Sequence, residues 1–235
     1  SNGTYRDFSE GFDQSSSNFR WSANGRNLFF ISGIQATYQL YRLNIANGEI
    51  AQVTNGWHDY TSLAIAGDYM IGERMSLSSP TEIYRVRIRD GREFQLTDLN
   101  RPVLDRIEMG RVAQRWITTT DNKQMLVWVI YPPGFDPNKK YPAILFCGGG
   151  PQNAISQFFS YRWNFQLMAA HGYIVIAPNR RGVPTFGQEW NDQISLDYGG
   201  QNKQDLLIAA KTLSKEPYID ENRLGAAGAS FGGFS

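Results

Sequence analysis

Residues 223–233 read Arg223-Leu224-Gly225-Ala226-Ala227-Gly228-Ala229-Ser230-Phe231-Gly232-Gly233, a small apolar run that ends in Gly-x-Ser-x-Gly-Gly. A serine hydroxyl is a useful nucleophile only when it is exposed, rigidly held and served by a neighbouring base. A sharp strand-to-helix turn with the serine at its apex meets the first two conditions, and flanking glycines let strand and helix approach without side-chain collision. Gly228, Gly232 and Gly233 stand where such a nucleophile elbow needs them around Ser230. With 23 glycines in 235 residues the pattern is weak by itself, so the segments around it decide its meaning.

Working back from the elbow, strands and helices alternate. Arg223 to Ala229 is expected to be a strand. Asn202 is expected to cap a helix through Leu206, Leu207, Ala210 and Leu213 that ends before Pro217. Tyr173 to Ala177 is a continuous, largely β-branched run, which suits a strand buried on both faces of a parallel sheet. Phe158 to His171 carries Phe159, Trp163, Leu167 and Ala170 at helical spacing until Gly172. Tyr141 to Cys147 is an apolar strand closed by Gly148-Gly149-Gly150-Pro151, and a hairpin turning at Asp121-Asn122 precedes it. Strand, turn, serine and helix in that order are the context the elbow demands. Residues 106–235 therefore read as the N-terminal part of an α/β-hydrolase domain, through the nucleophile.

Acyl transfer also needs donors aimed at the oxygen that becomes negative in the tetrahedral intermediate. The Phe231 N–H, directly after the serine, is one candidate; the Gly148–Gly150 loop, with Gly148 and Gly149 foremost, supplies the other, and Pro151 has no N–H to give. The general base is missing. The two histidines, His58 and His171, both precede Ser230, whereas an α/β-hydrolase runs serine, acid, histidine. His58 is expected to be a surface or packing residue, and His171 to close a helix where the dipole favours its charge. Asp197, Asp205 and Asp220 also precede the serine, and Asp205 is expected to serve the first turn of its own helix.

The front of the chain has a different texture. Residues 39–54 and 82–97 are one unit written twice, with Tyr41/Tyr84, Arg42/Arg85, Ile45/Ile88, Gly48/Gly91, Gln52/Gln95 and Thr54/Thr97 coinciding at an offset of 43. That period fits propeller blades, and Asn47-Gly48 and Asp90-Gly91 are hairpin turns. A closed propeller needs at least about four blades. Residues 1–105 are accordingly expected to be the C-terminal blades of a longer β-propeller, with a small β-sandwich as the competing reading. The fold class is thus α/β plus all-β.

Composition narrows the partners. A net charge of +1 provides no field to gather nucleic acid or an anionic membrane, and no run approaches the ~18 apolar residues of a membrane span. The single cysteine, Cys147, cannot form an internal disulfide and reads as a small buried hydrophobe. Neither a metal nor a cofactor is expected. The opening Ser1-Asn2-Gly3 lacks methionine, which suits a processed or vector-derived terminus.

Gly148-Gly149-Gly150-Pro151-Gln152, Ala177-Pro178-Asn179-Arg180-Arg181-Gly182, Phe186-Gly187-Gln188-Glu189-Trp190, Asp205 and Gly228 to Ser235 fall together in one order. In that order the chain resembles the prolyl oligopeptidase family of serine peptidases, and within it bacterial dipeptidyl-peptidase IV or V-like and acylaminoacyl-peptidase-like members. The resemblance implies Ser230 as nucleophile, an oxyanion hole from the Phe231 N–H and the Gly148 region, and short peptides as substrate. It also implies that the triad Asp and His lie past residue 235, and that the acidic residues holding a substrate's free N-terminus in dipeptidyl peptidases lie upstream of residue 1. Several members carry a tyrosine hydroxyl donor where this chain has Gly148, which leaves a backbone amide, that of Gly149, as the substitute. Ala229 stands where an aromatic residue often precedes the nucleophile. Two other readings stay open: a non-catalytic module that binds peptides or a partner, and an esterase, which would leave the 43-residue repeat unexplained. By analogy the resemblance favours a periplasmic location over a cytoplasmic one and leaves a homodimer open. Alone, the segment is expected to present Arg223–Ala229 as an unpaired sheet edge, to be unstable and to be nearly inactive.

Overall fold

Two β-sheets meet along one seam, and the elbow lies beside it. The computed structural model describes Gly3 and residues 5–235; Ser1, Asn2 and Thr4, at the head of the first expected domain and in the opening tripeptide and its neighbour, lie outside the described residues.

The first sheet contains two four-stranded antiparallel meanders. Strands β1 (Ser16–Trp21), β2 (Asn27–Ile34), β3 (Thr37–Asn44) and β4 (Ile50–Gln52) pair in sequence order. The short β5 (Asp59–Tyr60) then pairs with β3 at Tyr38. Strands β6 (Ala64–Ala66), β7 (Tyr69–Ser76), β8 (Ser79–Arg87) and β9 (Glu93–Gln95) form the second meander, which β5 joins through β7. The written repeat is also a repeat of register. Tyr41 opposes Gln52 and Tyr84 opposes Gln95. The Thr54 hydroxyl accepts from Leu40 N–H at 2.9 Å, and Thr97 from Ile83 N–H at 2.8 Å. Both turn glycines, Gly48 (φ 78°) and Gly91 (φ 69°), take the left-handed conformation the turn requires. Phe29, Ile31, Leu40, Tyr60, Met70 and Val86 pack between the meanders as their core.

A short helix, α1 (Arg101–Leu104), leads to the second sheet. Its elements are β10 (Val112–Thr118), β11 (Gln124–Ile130), β12 (Tyr141–Cys147), α2 (Phe165–Ala170), β13 (Ile174–Pro178), α3 (Gln188–Asp192), α4 (Gln201–Leu213), β14 (Ile219–Gly228) and α5 (Phe231–Phe234). The strand order is β10-β11-β13-β12-β14, with β13, β12 and β14 parallel and the hairpin antiparallel at one edge. Alternate residues of β11 explain its unbroken apolar run: Met125, Val127 and Val129 enter one core with α3 and α4, and Leu126, Trp128 and Ile130 enter the other with α2. The latter core also takes Ala36 and Leu77 from the meanders, so the two sheets share a hydrophobic layer. Strand β14 lies at the opposite edge, with Leu224 exposed.

Two helix expectations are corrected. The helix expected from Phe158 covers only Phe165–Ala170, because the Ser160 hydroxyl accepts from Arg162 and Trp163 N–H and the Asn164 carboxamide caps the helix through Leu167 N–H. Such side-chain bonds to nearby backbone compete with helix and favour its start instead. Asn202 is not a cap. It lies inside α4, buried, and its amide donates to the carbonyls of Asp197 and Tyr198, tying the preceding loop to the helix.

Candidate active site

Ser230 sits between β14 and α5 with φ 56° and ψ −127°, a conformation an L-residue adopts only when its surroundings impose it. The imposing atoms are glycine neighbours. A Cβ on Gly232 would be driven into the Cys147 carbonyl, and one on Gly228 would meet the Gly232 carbonyl and stand 2.9 Å from Cys147 O. Strand β12, strand β14 and the start of α5 therefore touch through bare backbone. Gly233 differs from the other two, since a Cβ there would stand 3.6 Å from Gly228 O, an ordinary contact. Ser230 itself is exposed.

The glycine loop faces the serine. A Cβ on Gly149 would lie 3.9 Å from the Ser230 Cβ and 3.1 Å from Ala229 O, so a larger residue there would press on the elbow. Gly148 is less constrained: its φ is ordinary, and a Cβ would meet only the Ile155 side chain, at 3.3 Å. The Gly149 and Phe231 N–H groups have no hydrogen-bond partner among the described residues. They belong to the loop and to the first turn of a helix, where backbone donors are left over. Beside them opens a cavity of about 650 Å³. Its floor includes Ser230, Ala229 and Gly148–Gly150; one wall is Phe146, Phe158, Trp163 and Phe165, and the other comes from the meanders, with Ile31, Tyr38, Asp59 and Tyr60.

Three features of this site have no role assigned from the sequence. Asp59 is buried at the joint between the sheets, where its carboxylate accepts from the Ser156 hydroxyl at 2.6 Å and from Tyr38 N–H at 3.0 Å. Burial pushes its carboxyl up to about 7 against the pull of those donors. The other two are adjacent buried arginines after β13. Arg181 is neutralised: its guanidinium forks onto the Asp121 carboxylate at 2.6 and 2.7 Å, and its Nε faces Asp205 at 3.2 Å. Asp205, expected in a helix-turn role, instead accepts from Arg181 N–H at 2.8 Å. Among the described residues, Arg180 has no carboxylate within ion-pair distance, and Asp205 acts on it only from farther off. The Arg180 guanidinium donates to three carbonyls, Gly148 O and Pro151 O at 3.1 Å and Arg181 O at 2.8 Å, while its face lies 4.7 Å from the Phe231 ring centre. Burial lowers its pKa to about 10, which leaves it charged at neutral pH. Two of its carbonyl partners, Pro151 and Gly148, lie 29 and 32 residues from Arg180 along the chain, so the sequence alone does not bring them together.

No histidine reaches the serine within this segment. His58 is buried in the meanders, 3.4 Å from Glu93 and edge-on to Tyr60, and His171 closes α2 with Nδ1 at 2.8 Å from Leu167 O. Neither lines the cavity. Cys147 is buried, and burial raises its thiol. Among the described residues, no cluster of three or more His, Cys, Asp or Glu is arranged to hold a metal ion, and no helix is long and apolar enough to cross a membrane.

The profile of the prolyl oligopeptidase family matches residues 159–235. The chain is 49% identical over 224 residues to dipeptidyl-peptidase 5 of Porphyromonas gingivalis, covering 95% of this chain and 33% of that protein. It is 32% identical over 232 residues to dipeptidyl-peptidase 5 of Trichophyton schoenleinii, covering 95% and 31%. The chain thus spans about a third of the length of the curated relatives it matches. Among solved structures, the Pyrococcus horikoshii acylaminoacyl peptidase aligns with a TM-score of 0.86 at 24% identity over 99% of this chain and 36% of that one. Dipeptidyl peptidase 4 of Porphyromonas gingivalis aligns with a TM-score of 0.75 at 22% identity over 94% and 32%. At these identities the two structures speak for the fold.

Proposed function

From the family profile over residues 159–235 and the 49% identity to a dipeptidyl-peptidase 5, we propose that the chain belongs to the prolyl oligopeptidase family and that Ser230 is the nucleophile of a serine peptidase that hydrolyses short peptides through an acyl-enzyme, in the manner of a dipeptidyl peptidase. The observation that carries the reading is the exposed Ser230 held at φ 56° on the floor of a cavity of about 650 Å³, a size ordinary for a small-ligand site. In this reading the Ser230 hydroxyl oxygen attacks the scissile carbonyl carbon while a histidine base takes its proton. The carbonyl oxygen, now negative, receives hydrogen bonds from the Phe231 and Gly149 N–H groups. Collapse of the intermediate breaks the C–N bond, the amine leaves with the proton from the histidine, and water then cleaves the ester. The histidine and its carboxylate partner belong to sequence outside these 235 residues, as do the groups that hold the substrate's N-terminus.

The two meanders read as consecutive blades of a β-propeller that restricts access to the serine, supported by the recurrence of register at an offset of 43 and by the meander residues in the cavity wall. Residues 1–105 and 106–235 are then the propeller and hydrolase parts. The test uses the full-length protein that carries this chain. A fluorophosphonate is expected to label Ser230 and not a Ser230→Ala variant, and a chromogenic dipeptidyl amide with a free amine is expected to be cleaved in preference to its N-blocked form. A folded protein that takes no label at Ser230 overturns the reading.

A further inference from the structure

Arg180 joins the two sides of the candidate oxyanion hole. Its Nη2 donates to Gly148 O at 3.1 Å, on one side, and its guanidinium face covers the ring of Phe231 at 4.7 Å, on the other. A second donation, from Nη1 to Pro151 O at 3.1 Å, holds the far end of the glycine loop. The Gly148 carbonyl and the Gly149 N–H are the two ends of one trans peptide unit. A cation bonded to the carbonyl end draws electron density from the amide, makes the opposite N–H a stronger donor and fixes its direction. That N–H has no other partner among the described residues.

The adjacent arginine shows what is unusual here. Arg181 is matched by Asp121 and Asp205, whereas among the described residues no carboxylate lies within ion-pair distance of Arg180 although it is 1% exposed. A buried cation without a directly paired carboxylate is costly, and a fold that needed only a tie between loops could use a neutral amide. The asymmetry places a positive charge with no direct ion pair, which Asp205 reaches only from beyond ion-pair distance, behind the point where negative charge develops.

Resting on the peptidase reading above, we propose that Arg180 is a positioning residue for the oxyanion hole: through the Gly148 carbonyl it orients and strengthens the Gly149 N–H, and through the Phe231 ring it holds the second donor in place. Arg180 does not touch substrate. It acts on the intermediate more than on the bound peptide, which separates it from a structural clamp.

The experiment compares wild type, Arg180→Met and Arg180→Lys in the full-length enzyme, with rates expressed per fluorophosphonate-titrated site so that unfolded molecules do not enter. Arg180→Met is expected to lower kcat by about 10- to 100-fold, less than outright removal of an oxyanion donor, with KM nearly unchanged. A peptidyl trifluoromethyl ketone, which forms a tetrahedral adduct, should weaken by the same factor, while inhibition by the product dipeptide should not change. Arg180→Lys keeps the charge and one hydrogen bond, and should recover part of kcat. Unchanged kcat in Arg180→Met, or equal losses for the ketone and the product, overturns the proposal; so does failure of both variants to fold, which would assign Arg180 to stability. If Arg180→Met alone fails to fold, the lysine variant carries the test, and wild-type kcat in it overturns the proposal. A wild type that is folded, unlabelled and inert overturns the peptidase reading itself, whereas an active wild type with an unaffected Arg180→Met overturns only this inference.

Discussion

The meanders make some of their polar ties locally and twice, whereas the α/β half makes its principal buried ties over long separations and once. In the meanders, Tyr41 bonds Gln52 and Tyr84 bonds Gln95, each 11 residues away, and the Thr54 and Thr97 hydroxyls repeat one another's roles. In the α/β half, Arg181 reaches Asp121 across 60 residues, and Arg115 reaches Glu216 across 101. Repeated units share stability among equivalent contacts, each modest. A single long-range tie has no second copy, so damage to it is concentrated.

The largest effect should come from breaking the backbone contact at the elbow. Gly232→Ala drives a Cβ into the Cys147 carbonyl, where no side chain can yield. We expect a loss of roughly 3–5 kcal/mol in thermal or denaturant unfolding of the full-length protein, together with loss of fluorophosphonate labelling. A shift near zero would mean that β12 and α5 separate freely.

At the joint between the halves, stability should depend on pH through Asp59. Its carboxyl rises from 3.8 to about 7 on folding, so the folded state holds a proton that the unfolded chain has released between those values. The stability is fully present below pH ~4 and is lost as pH rises through about 7, by an amount of order 4 kcal/mol. Unfolding of wild type and Asp59→Asn measured from pH 4 to 8 should show this slope in the former and a flatter curve in the latter. Equal slopes would remove Asp59 from the account.

Within the repeat, matched substitutions sharpen the comparison. Thr54→Val deletes a buried hydroxyl that serves Leu40 and Gln39, and should cost about 1–2 kcal/mol. Thr97→Val deletes its half-buried counterpart, where water can replace part of the loss, and should cost less. Chemical denaturation of both variants tests the order. The smallest effect is expected at Gly233→Ala, within about 0.5 kcal/mol, because a Cβ there finds ordinary contact distance. A large loss would mean that all three elbow glycines are sterically required.

Much of the fold was legible because its causes are local. Asn47-Gly48 and Asp90-Gly91 mark turns by backbone conformation alone, and alternation along the flanking strands follows from the pleat. Strand β11 was legible for the same reason, its two buried faces being written as one apolar run. The helix expected from Phe158 failed where Ser160 and Asn164 side chains took over the backbone donors, a competition that periodicity does not register. Around the site, Gly228 and Gly232 could be anticipated from the elbow pattern, while Asp59 and the contacts of Arg180 could not.

By itself the sequence determined the serine at a strand-to-helix turn, the glycine run closing an earlier strand and the turns of the 43-residue repeat, since each of these elements is set by residues a few positions apart. Tertiary structure alone decided which buried charge is matched and which is not. Arg180 and Arg181 are neighbours of one residue type, and burial with partners from distant segments leaves one neutralised by two carboxylates and the other bound to the carbonyls of the glycine loop. The energy of a buried charge depends on what surrounds it in space, and neighbours in space are not neighbours in sequence.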